Sequence, residues 1–111
     1  MFIGAVPIDF NDILSNNTCV VNELCRFNLK HFLKSGKHKL GIVFNLDRHY
    51  ESGSHWVAMY ADLKKGKIIF FDSYGYEPYT EISNLMEILK IDNEKLGVKT
   101  QIIKNQLRHQ Y

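Results

Sequence analysis

The apolar positions of this chain change their period three times, and the changes divide it into elements. From Asn17-Thr18, a natural helix cap, apolar residues fall at Val20, Val21, Leu24, Phe27, Leu29, Phe32 and Leu33. That is a helical spacing, and Gly36 is placed to end it. Before it, Pro7 to Leu14 carries apolar residues at 10, 13 and 14 and reads as a short helix or turn. After Gly36 the pattern becomes strand-like. Leu40 to Leu46 is rich in β-branched and aromatic residues, and a polar loop, Asp47 to Ser54, follows. His55 to Asp62, the turn Leu63-Lys64-Lys65-Gly66 and Lys67 to Phe71 then read as a hairpin. The run Ile68-Ile69-Phe70-Phe71 is apolar on both faces, so cover is expected on both sides of that strand. Tyr74 to Pro78 is loop. From Thr80 a helix is predicted, with Ile82, Leu85, Met86, Ile88 and Leu89 as its apolar set, and Val98 to Ile103 reads as a last strand. Helices, then strands, then a helix and a strand make an α+β domain with an antiparallel core.

Composition narrows this picture. The 111 residues suffice for one domain, 1–111, and 45% hydrophobic with 23% charged residues is the balance of a globular chain rather than a disordered one. The formal charge is +2, with basic residues scattered along the sequence. The densest run, Lys64-Lys65-Gly66-Lys67, reads as a solvated turn, which argues against a nucleic-acid partner. No stretch approaches the ~20 apolar residues of a membrane span, and Met1 to Gly4 does not resemble a signal peptide. Cys19 and Cys25 lie six apart, about 600° of helix rotation, so they face different ways and a disulfide between them is not expected. An intracellular location is the expectation.

The candidate chemistry sits at one end of the hairpin. A turn centred near Lys64-Lys65 puts residue 55 opposite positions 72 to 75, so His55 and Asp72 share an end of the sheet. A carboxylate there can accept from one imidazole nitrogen, fixing its tautomer and favouring the imidazolium. Strand-end histidines and aspartates also occur without catalytic work, and Asp72-Ser73 alone can simply open a turn. Likewise Trp56 alone fits core or rim. His49 and His55 with Asp47 and Glu51 lack a recognised ligand spacing, so neither a metal nor a cofactor is expected. His31, His38 and His109 read as surface residues.

Taken together, Gly53-Ser54-His55-Trp56-Val57-Ala58 and Ile69-Phe70-Phe71-Asp72-Ser73-Tyr74-Gly75 resemble the core motif of the ubiquitin-like-protein proteases. These are the SUMO-deconjugating cysteine peptidases and their adenovirus-protease relatives. Phe2 to Phe10 and Gly41 to Asp47 look most like the branch found in large DNA viruses. The resemblance spans roughly residues 2 to 111 and implies a papain-like fold, an antiparallel sheet flanked by helices. It implies His55 as general base, Asp72 as its orienting carboxylate, and Trp56 beside a narrow slot for a glycine-rich strand. The oxyanion glutamine would be Gln110, with Gln106 as the other candidate. The substrate would be a viral polyprotein or a ubiquitin-like tail cut after glycine, in the host cytoplasm or the virion. Apart from the resemblance, the aromatic loop of Tyr74, Tyr76 and Tyr79 follows Asp72 and reads as a substrate rim or a packed turn, with the rim favoured.

The family's Cys-Gly nucleophile would follow that glutamine, and no cysteine follows Gln110. Cys19 and Cys25 precede the histidine and sit among apolar neighbours, where a thiol is usually an inert small hydrophobe. The expectation is therefore the N-terminal portion of a catalytic domain, without its nucleophile helix and inactive alone. The missing segment or self-association would then be needed to cover the core. The rival expectation is a binding module of the same fold that recognises glycine-containing peptides without cutting them.

Overall fold

The computed structural model describes residues 1–7, 10, 28–46, 56–72 and 78–104. Five strands form one sheet in sequence order: β1 (Phe2–Pro7), β2 (Lys39–Asn45), β3 (Trp56–Asp62), β4 (Lys67–Phe71) and β5 (Gln101–Lys104). Helix α1 (Leu29–Lys34) precedes β2, and α2 (Thr80–Lys95) connects β4 to β5. The centre β2-β3-β4 is antiparallel, as the pattern predicts. The edges are not: β1 runs parallel to β2 and β5 parallel to β4, so the sheet is mixed. The reason lies in the connections. A parallel pair needs a long crossover, and α2 is the crossover between β4 and β5.

β1 is an element that the sequence reading does not contain. Its pairing with β2 slips between Ile3 and Val6, so the apolar alternation expected of a strand is broken where a reader would look for it. The strand is nonetheless anchored in the core through buried Val6, and beyond it Phe10 packs on Phe44 with ring centroids 5.3 Å apart.

Only one face of the sheet is buried. Leu40, Ile42 and Phe44 of β2, Val57, Met59 and Ala61 of β3, and Ile68 and Phe70 of β4 point into the core. Leu29 and Phe32 of α1 and Ile82, Leu85, Met86 and Leu89 of α2 belong to the same core. On the opposite face of β4 the described residues supply no such cover. Ile69 is 37% and Phe71 49% exposed, in strict alternation with buried Ile68 and Phe70. They share that face with Tyr60 and Trp56 of β3 and with Phe2 of β1, all exposed. Ile88 also departs from expectation: it lies outside the buried stripe of α2 and is exposed.

Local signals explain the helix ends. Asn28 caps α1 by accepting the His31 backbone amide at 3.0 Å. The remainder of the helix predicted from residue 18, and the short helix predicted at 7–14, fall largely on residues outside those described. α2 begins after Tyr79 with Glu81 in its first turn and Lys95 in its last, complementing the helix dipole.

The buried stripe of α2 ends on a polar residue. Asn93 is completely buried. Its Nδ2 donates to the Leu63 carbonyl oxygen and to Thr100 Oγ1, each at 2.9 Å, and Thr100 Oγ1 donates onward to the Val98 carbonyl oxygen. Its Oδ1 accepts no hydrogen bond. The β3–β4 turn is held from a second side by Gly66. Its φ is +70°, a Cβ there would run into the Lys99 carbonyl oxygen, and its own carbonyl accepts the Gln101 amide at 2.8 Å.

Candidate active site

The β3–β4 register fixes the local geometry. Ala58 faces Phe71, Met59 faces Phe70 and Asp62 faces Lys67. Continued one step by the strand period, this register sets Asp72 beside Val57. Asp72 immediately follows β4 and is only 2% exposed, on the same side as Phe70. A carboxylate buried to that degree needs polar partners, and Asp72 is engaged rather than free. Trp56 opens β3, paired with Asn45 of β2, and is 49% exposed on the opposite side of the sheet. Tyr79 occupies the N-cap position of α2 without a side-chain capping bond and is exposed.

Of the residues expected to act, the structure therefore places Asp72 and Trp56 at one end of the sheet but on opposite faces. His55, Tyr74 and Gln110, and the alternative Gln106, lie outside the described residues, as do Cys19, Cys25 and the His49, Asp47 and Glu51 loop. Two shallow clefts are formed by described residues. One, between the helices, is lined by Asn28, Lys30, Asp92 and Lys95; the other lies beside the β3–β4 turn. Neither reaches Asp72 or Trp56. No helix among them is long and apolar enough to cross a membrane.

No family model matches the chain. It is 38% identical over 86 residues to the protein named "Putative thiol protease R355" of Acanthamoeba polyphaga mimivirus, a match covering 78% of this chain and 26% of that protein. Two crystal structures of the ASFV pS273R protease superpose with TM-scores of 0.71 and 0.67 at 21% identity, covering 97% of this chain and 43% and 44% of theirs. The α+β fold expected from the motif is thus the observed one. In sequence the chain is similar to a protein named as a putative thiol protease, and in fold to a viral protease. It spans about a quarter of the length of the curated relative it matches.

Proposed function

We propose that the chain supplies the base-bearing part of a cysteine peptidase domain. The thiol would come from polypeptide beyond these 111 residues. The supporting observation is Asp72, a buried and engaged carboxylate at the end of β4, next to the strand whose N-terminal neighbour in sequence is His55. Residues 55 and 57 have the same strand parity, so an extended backbone through His55 would put its imidazole on the Asp72 side. Asp72 would accept the Nδ1 proton and hold the tautomer with Nε2 free. Nε2 would take the thiol proton, and the thiolate would add to the substrate carbonyl carbon. The Gln110 amide would donate to the developing oxyanion. The imidazolium would then protonate the leaving amine, and water would hydrolyse the thioester. Trp56 and Tyr74 would border the slot for a glycine-containing strand, with a viral polyprotein or a ubiquitin-like tail as substrate.

The test compares this chain with a version continued past Tyr111 by the corresponding segment of the mimivirus relative. The substrate is a fluorogenic glycine-ending peptide, assayed with and without a thiol alkylator. The chain alone is expected to be inert and the extended one active, with activity lost in His55→Ala. Alkylator-sensitive turnover by the short chain that vanishes in Cys19→Ala or Cys25→Ala would refute the assignment. So would an active extended chain indifferent to His55→Ala, or a folded extended chain without turnover.

A further inference from the structure

Lysines that look scattered in the sequence are gathered by the fold. The start of β2, the β3–β4 turn and the entry to β5 all lie at one end of the sheet, because Lys39 pairs with Asp62, Asp62 with Lys67, and Lys67 with Gln101. That end carries Lys37, Lys39, Lys64, Lys65, Lys67 and Lys99, all exposed. Half-buried His38 lies among them, its carbonyl oxygen accepting the Leu63 amide at 2.8 Å. Lys34 and Lys95 also point to this end, but each closes a helix and complements its dipole, so they are set aside.

The acids nearby do little to offset this charge. Asp62 is buried and its Oδ1 accepts the Lys65 backbone amide at 3.2 Å. Glu94 lies against the Thr100 amide at 3.3 Å, and Asp92 sits in the other cleft with Lys30 and Lys95. The whole chain has a charge of only +2. Six lysines gathered at one end concentrate positive charge locally in a chain that is nearly neutral as a whole.

We infer that this lysine end is an accessory docking surface for an acidic stretch of a polypeptide, one that belongs to the same protein substrate the candidate site would cut. The inference rests on the peptidase reading for the identity of the polypeptide, but not for the binding itself. Three observations favour a polypeptide over a nucleic acid. The charges are all lysines, with no arginine in 35–41, 61–68 or 94–101, and so no planar fork for phosphates. Those segments contain no Phe, Tyr or Trp on which a base would stack. The third is reach. β3 runs seven residues from Trp56 to this end, about 20 Å, so a substrate bound beside Trp56 reaches the lysines with about six or seven extended residues.

The experiment measures binding, not cleavage, so it separates this inference from the peptidase assignment. A fluorescein-labelled decaglutamate peptide is titrated with the full chain by anisotropy, over a range of sodium chloride. A 20-base-pair duplex DNA is titrated in parallel. Decaglutamate is expected to bind, with affinity falling as salt rises. The triple variant Lys64→Glu, Lys65→Glu, Lys67→Glu should bind about tenfold or more weakly, within the range that focused surface charge provides. Lys30→Glu with Lys90→Glu, of matching exposure class in part but away from the turn, should bind as the parent does. Circular dichroism confirms that the variants are folded; should the triple variant fail this check, Lys64→Gln with Lys99→Gln takes its place. No binding at low salt, equal loss in the control variant, or duplex DNA binding more tightly than decaglutamate would overturn the inference.

Discussion

Asn93 Nδ2 donates to the Leu63 carbonyl oxygen at 2.9 Å, across thirty residues of chain. This bond and its partner to Thr100 tie the end of α2 to the turn between β3 and β4 and to the entry of β5. Because Asp72 directly follows β4, the hairpin that presents the candidate carboxylate is set from its far end by a buried amide.

That relationship gives a stability prediction. Asn93→Leu removes both donations and leaves the Leu63 carbonyl unsatisfied in the core, a cost of about 1–3 kcal/mol. The lost orphan Oδ1 offsets part of it. Asn93→Asp should be worse, since a carboxylate cannot donate to a carbonyl oxygen. Urea unfolding should rank the parent above Asn93→Leu and Asn93→Leu above Asn93→Asp. An Asp variant as stable as the parent would mean that the clasp contributes nothing.

Gly66 and Gly97 offer a matched comparison. Both have positive φ, 70° and 95°, so alanine at either carries the left-handed penalty of about 1–2 kcal/mol. At Gly97 the added methyl meets open space; at Gly66 it meets the Lys99 backbone. Gly66→Ala should therefore be clearly the more damaging in thermal unfolding. Equal shifts of the midpoint would show that the turn moves freely away from β5.

The open face of the sheet bears on association. Phe2, Trp56, Tyr60, Ile69 and Phe71 are exposed on one side, a larger aromatic surface than isolated soluble domains usually leave bare. The chain is expected to self-associate. Ile69→Thr with Phe71→Thr puts β-branched, strand-compatible residues on exposed positions, so stability should change by roughly 0.5 kcal/mol or less per site. Sedimentation velocity should show the substituted chain shifted towards monomer. A monomeric parent at tens of micromolar would remove the need for cover on this face.

Much of this architecture was legible in the sequence. β-branched and aromatic runs marked β2 to β4, and the turn Leu63–Gly66 marked the hairpin between β3 and β4. The apolar stripe marked α2, and Asn93 continues that stripe at the helical spacing from Leu89, so a polar residue on an apolar face was the available sign of the clasp. β1 was not legible, since its pairing shifts in mid-strand. Of the two apolar faces read for β4, the described residues cover one, and Ile69 and Phe71 on the other are exposed. Parallel edges and the gathered lysines depend on which strand ends meet, and that is a property of topology rather than of any local run. At the candidate site the motif singled out Asp72, which the structure places buried just after β4.

Asp72 supplies the last prediction. A carboxylate that orients an imidazole acts on the chemical step more than on substrate binding, whereas a residue bordering the substrate slot acts mainly on binding. In the extended, active chain, Asp72→Asn should lower kcat about 10³–10⁴-fold with little change in KM. Trp56→Ala, half-exposed on the other face, should chiefly raise KM. A purely structural role for Asp72 would appear differently. The loss of activity would then follow a loss of folded protein, and kcat per folded molecule would be unchanged. Measuring the folded fraction by urea unfolding beside the kinetics separates the two. An Asp72→Asn enzyme with full kcat would remove Asp72 from the mechanism and leave its burial to be explained by packing alone.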